Sequence, residues 1–216
     1  MSQRSPMGDL FDDLCHAEEA ARERLLAGCA DDAIKIERYF NRPLEIAKRS
    51  ARNTMAGMGF LEDVDLAAGL RREAFERIGT VCADSICSKA ALRVRARFRI
   101  YADEIANAED RIADAIAASR LVHVERIFPR MFSIGWIDFD NLHIPDPPGD
   151  DAAIDDWIEH LRRAVGEELA ASTKRAVGEV LEQGYARLGV IKSCIDATLR
   201  ALRRTAQAEI SHVGQV

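Results

Sequence analysis

The placement of proline constrains this chain more than any other feature. Its six prolines leave two long runs untouched, 61–127 and 151–216, while Pro129, Pro145, Pro147 and Pro148 crowd into the connection between them. Proline lacks a backbone N–H and clashes with the turn before it, so it disfavours helix at and just before its own position. A proline-free run with apolar residues every three or four positions can form one amphipathic helix. Both runs have that spacing and are rich in Ala, Arg, Glu and Leu, the composition of long helices and coiled coils. At 1.5 Å per residue, each arm would extend on the order of 90–100 Å. Gly69 and Gly79 in the first arm, and Gly166, Gly178, Gly184 and Gly189 in the second, are weak points. Each costs about 1 kcal/mol relative to alanine in a helix interior.

The connection at 128–150 reads as the irregular tip of a helical hairpin. Numbers that add to a constant identify residues at one level of an antiparallel pair, and a turn near Phe139 gives apolar layers such as Phe75/Leu202, Phe98/Val180 and Ile112/Val165. Charges beside that seam also match, among them Arg99 with Glu179, Asp103 with Arg175 and Arg111 with Glu167, while Asp110 against Glu168 does not. Edge charges of opposite sign set register in helix pairs. The expected fold is therefore all-α. It is an elongated helical bundle built on a long antiparallel hairpin, with arms at about 61–127 and 151–212 and N-terminal helices packed alongside.

Those N-terminal helices occupy 1–59. Leu10, Leu14, Ala17, Ala21 and Leu25 share one face, followed by Ala33, Ile36, Tyr39 and Phe40. Pro43 pushes Arg42 out of the helical region and suits the first turn of a further helix. Gly57-Met58-Gly59 ends that helix and separates it from the hairpin at 60–216. A hairpin alone buries too little surface, so the N-terminal helices and a second copy of the chain would cover its outer faces.

Charge and composition exclude several classes. A net charge of −6 argues against a general polyanion binder. The basic run Lys89, Arg93, Arg95, Arg97 and Arg99 turns around the helix instead of sharing one face, so nucleic acid is an unfavoured partner. No window reaches the roughly 18 uninterrupted apolar residues of a membrane span. The N-terminus has no signal-peptide core, which predicts a cytoplasmic protein, with export lacking a cleavable signal left open. Five cysteines without a CxxC pair read as reduced, small buried residues.

Motifs of chemistry are sparse. No phosphate-cradling glycine loop, nucleophile elbow or HExxH occurs. Asp138, Asp140, Asn141, His143 and Asp146 offer oxygen and imidazole groups, but the glycine and late glutamate of a calcium loop are missing. Cys15 and His16 are neighbours about 100° apart on a helix and point in different directions. His123 would meet Asp155 across the seam as a structural ion pair. No metal, cofactor or catalytic residue is assigned.

The tip is the remaining candidate. Met131, Phe132, Ile134, Trp136, Ile137 and Phe139 form a concentrated apolar segment. Either it caps the helix ends, or it is an exposed anchor, since aromatic side chains dominate many binding surfaces. A helical hairpin with an apolar tip invites comparison with α-helical pore-forming toxins, but Arg130 and Asp138 bound a run too short to span a bilayer. The expected function is a non-catalytic interaction or structural protein that contacts a protein partner, or itself, through Met131–Phe139. The alternatives are a secreted or membrane-active effector using that tip at a bilayer interface, and an all-α enzyme without a local motif.

Overall fold

The computed structural model describes residues 6–59, 64–118, 139 and 141–213. The described residues form helices and connections, with no strand. Helix α1 spans Pro6–Ile36, a 3-10 turn Glu37–Tyr39, α2 Asn41–Met58, α3 Val64–Ala118, a second 3-10 turn Asp151–Ala153, and α4 Ile154–Val213. The protein is an all-α bundle in which the two proline-free runs are helices of 55 and 60 residues.

Local chemistry explains the boundaries. Gly28 lies inside α1 and does not end it. Arg42 is helical, against expectation. The chain passes from the 3-10 turn straight into α2, where the Leu44 amide donates to the Phe40 carbonyl at 3.0 Å. Pro43 falls in the first turn, where its missing N–H would have had no intrahelical acceptor. At the start of the last helix, Asp150 Oδ1 accepts the Ala153 amide at 3.0 Å, satisfying one of the unpaired N–H groups there.

The chain divides into two compact units. The first comprises Met1–Ala27, Arg97–Ile134 and Gly178–Val216; the second comprises Gly28–Ala96 and Gly135–Val177. In the second, Phe40, Leu44, Phe75, Ile86, Trp157 and Leu161 belong to one buried cluster. Phe75 meets Trp157 edge to face with ring centroids 4.9 Å apart, a favoured aromatic arrangement. In the first, Leu14, Ala108, Ile112, Ile191 and Ile195 pack together.

The pairing of α3 with α4 corrects the expected hairpin. An antiparallel pair has partner numbers with a constant sum; a parallel pair has a constant difference. In the second unit Phe75 meets Trp157, and Cys87 feels the charge of Glu168 further along both helices. In the first, Tyr101 closes on Gly184 and Glu109 on Arg187. Within each unit the numbers rise together, so the helices run parallel there. The expected layers dissolve accordingly: Ile112 clusters with Ile191 and Ile195, and Val165 belongs to the cluster of Ile86 and Cys87.

The described end of the proline-rich stretch, 141–150, lies against the second unit's part of α3. Ile144 packs against Gly79, and Arg71 Nη1 donates to the carbonyl of Gly149 at 2.9 Å, so the chain comes back beside the early turns of α3. On its other side α3 shares a groove with α2, lined by residues from Pro43 to Ser50 of α2 and from Arg77 to Ser85 of α3.

Candidate functional site: an apolar groove between α2 and α3

The groove arises from the amphipathic pattern of α2. Leu44, Ala47 and Ala51 face the core and are buried. Pro43, Ile46, Ala47 and Ser50 recur at three- and four-residue spacing and form one wall and part of the floor. The other wall is α3, through Arg77, Ile78, Val81, Cys82 and Ser85. Together they enclose a volume of about 290 Å³. The floor is made of small or apolar groups, with Ala47 and Cys82 buried.

Two features distinguish it from ordinary surface. Ile46 is 55% exposed and Val81 62% exposed, on the two helices that wall it. Leu92, three turns further along the same face of α3, is exposed as well. Val81, Ser85, Ser88 and Leu92 therefore form a stripe at helical spacing, about 16 Å long at 1.5 Å per residue. Single exposed aliphatics are common, whereas apolar groups converging on one concave surface mark binding sites.

The lining of the groove is mostly apolar, with the hydroxyls of Ser50 and Ser85. Its one ionisable group besides Arg77 is the Cys82 thiol, which burial pushes up to about 11. A thiol held that far from its thiolate is a poor nucleophile at neutral pH.

The expected contact residues fare differently. Met131, Phe132, Ile134, Trp136 and Ile137 lie outside the described residues. Phe139 is partly buried and packs, with Leu142 and Ile144, against the core of the second unit. Trp157 Nε1 donates to the Pro145 carbonyl at 3.1 Å, tying the returning chain to α4. Ile46 and Val81 were not singled out in the sequence, because their spacing is that of any residue facing a neighbouring helix.

The other sequence candidates are accounted for within their own units. Burial first, then Asp12 and Glu18, raise the Cys15 thiol, so it is not an activated nucleophile. Arg93 donates to Tyr39 Oη at 2.6 Å and to Asp32 Oδ1 at 3.0 Å, and Lys89 lies over the Tyr39 ring, so these basic residues serve an internal network. Arg175 pairs with Glu168, not with Asp103. His123 lies outside the described residues, and Asp155 pairs with Lys48 at 2.7 Å. The Lys48 ammonium, then Arg52, hold the Asp155 carboxyl below its usual range. Among the described residues no group of three His, Cys, Asp or Glu side chains is arranged to hold a metal ion. None of the described helices is long and apolar enough to cross a membrane.

No protein-family model matches the chain, and no curated protein or solved structure matches it significantly.

Proposed function

We propose that the protein is a non-catalytic helical interaction protein whose α2–α3 groove receives an apolar helical segment of a protein partner. The observation that supports this reading most directly is the pair of exposed aliphatic side chains, Ile46 and Val81, on the two walls of a groove with an apolar floor. A partner helix laid along two host helices would bury its apolar stripe there, the helix-in-groove mode of recognition. Phe139 packs toward the core, so the reading rests on the groove and not on the aromatic segment at Met131–Phe139.

The experiment is a display selection from a library of amphipathic helical peptides, with the intact protein as bait. Peptides enriched on the wild-type chain should lose about tenfold or more in affinity for Ile46→Asp and Val81→Asp, since a buried unpaired carboxylate is costly. Unchanged affinity in both variants, with unchanged melting temperatures, overturns the groove as the binding surface. Light scattering on the same proteins tests a second copy as occupant. A wild-type oligomer that becomes monomeric with Val81→Asp would assign the groove to self-association and reject a separate partner.

A further inference from the structure

We propose that the segment Leu142–Gly149 is an internal ligand of the second unit, and that the face of α3 and α4 beneath it also receives a proline-rich segment of a partner protein. This surface is separate from the α2–α3 groove. The occupant's chemistry is read from the way the chain's own Ile144-Pro145-Asp146-Pro147-Pro148 is held.

The segment is held as a bound peptide is held. His143–Pro148 belongs to no helix or strand, and its prolines push the residues before them toward extended backbone. His143, Asp146 and Gly149 are exposed, whereas Ile144, Pro145 and Pro147 are half-buried and Pro148 is buried. Exposure at every third residue is the pattern of a polyproline helix, which has about three residues per turn and no internal hydrogen bonds. Such a helix leaves its carbonyls to outside donors, and here side chains of the two long helices supply them. Trp157 Nε1 donates to the Pro145 carbonyl at 3.1 Å. Arg71 Nη1 donates to the Gly149 carbonyl at 2.9 Å and to that of Pro148 at 3.4 Å. Ile144 fills a notch left by Gly79, where a Cβ would stand 2.5 Å from Ile144 Cγ2. Phe75 meets the Trp157 ring edge to face and steadies the indole.

None of these contacts requires the segment to belong to the same chain. An indole N–H and a guanidinium on carbonyls, with a notch for one branched aliphatic side chain, recognise an aliphatic-Pro-x-Pro-Pro segment as such. Aromatic-lined surfaces take proline-rich peptides in this way, because the ligand is already extended and has little entropy to lose. The internal segment competes through its high effective concentration. A partner therefore binds in proportion to the fraction of molecules whose segment is lifted. Side-chain donors and a notch, not a backbone ladder, attach it to the helices, and attachments of that kind open locally.

The probe is a fluorescent peptide with the sequence of residues 141–150, titrated into the intact protein and read by anisotropy. Ile144→Ser loosens the internal ligand and leaves the notch open, so this variant should bind the peptide about tenfold or more tighter than the wild type. Ile144→Ser/Gly79→Ala fills the notch and should lose that gain, although alanine favours the helix. A peptide with serine in place of its isoleucine should bind neither variant. Circular dichroism reports whether each variant folds. A readout without substitution is hydrogen exchange in the isotope-labelled wild type, where saturating peptide should speed exchange at the Leu142 and Ile144 amides. No gain of affinity in a folded Ile144→Ser, binding that survives Gly79→Ala, or unchanged exchange at saturating peptide overturns the proposal. Ile46→Asp and Val81→Asp should leave this binding intact; loss in both would place the peptide in the α2–α3 groove and overturn it as well. A wild-type oligomer that dissociates as peptide is added would assign the surface to the same segment of a second copy and reject a separate partner.

Discussion

The two units bury carboxylates in different ways. In the first, Glu109 and Arg187 are enclosed together, their side chains only 3% and 13% exposed. Glu18 is also buried and accepts a hydrogen bond of 3.0 Å from the equally buried Tyr101 hydroxyl. In the second, the acid is sealed but its cation stays at the surface. Asp32 is 3% exposed beside Arg93 at 40%, and Glu168 10% beside Arg175 at 50%. One unit has both members of an ion pair out of water; the other keeps one member hydrated. Enclosing both charges forfeits more hydration and makes each partner more dependent on the other.

The largest expected effect is therefore at Arg187. Replacing it with Met leaves Glu109 buried without its cation, which should cost about 3–5 kcal/mol in denaturant unfolding. Glu109→Leu combined with Arg187→Met removes both charges, and stability should return to near the wild-type value or exceed it. A double variant no more stable than Arg187→Met would show that the pair is not enclosed as described, and the contrast between the units would fail.

Next in size is Gly184→Ala, in the same unit. A Cβ at position 184 would fall on the Tyr101 hydroxyl, whose place is fixed by Glu18. Overpacking of this kind costs about 1–3 kcal/mol. Gly178→Ala is the control, because a Cβ there meets open space, and it should be neutral or slightly stabilising. Equal effects at the two glycines would argue against the parallel approach of α3 and α4 in this unit.

How much of this was legible in the sequence follows from the same residues. Helix class and length were legible, because two proline-free runs with apolar residues at three- and four-residue spacing leave few alternatives. Helix direction was not. Phe98 and Val180 satisfy an antiparallel sum and a parallel difference equally well, and both are buried. Regular spacing lets other layers be found under either rule. The groove was hidden for a related reason. Ile46 and Val81 carry the periodicity of contact residues, and only the packed helices show that their face is left uncovered.

In the second unit, burial should be visible through thiols. The apolar surroundings push Cys82 up from its ordinary 9.0 to about 11, and Cys87 to about 12, with Asp84 and Glu168 adding to the latter. Both folded values are raised, so the native state holds protons that the unfolded chain loses first. Their contribution is complete below pH 9 and disappears as pH rises through 11 to 12. Stability measured from pH 8.5 to 10.5 should fall, and a Cys82→Ala/Cys87→Ala variant should show a shallower decline. Identical slopes would mean that these thiols are not held out of solvent.

The smallest expected effect completes the contrast. Arg175 Nη2 reaches Glu168 Oε1 at 3.1 Å and Ser172 Oγ at 2.8 Å. Glu168 keeps a second partner, because the Ser172 hydroxyl donates to the same carboxylate oxygen at 2.7 Å. Removing the arginine therefore does not strip the acid of hydrogen bonding, and the half-exposed guanidinium contributes as a surface charge does. Arg175→Met should cost about 1 kcal/mol or less, and added salt should shrink the difference further. Arg187→Met, in contrast, should be nearly insensitive to salt, because screening ions do not reach an enclosed pair. Equal losses at Arg175 and Arg187, or equal salt dependence, would erase the distinction between the two units. A loss at Arg175 that grows when Ser172→Ala is added would instead show that the hydroxyl is what lets this carboxylate stay buried beside a hydrated partner.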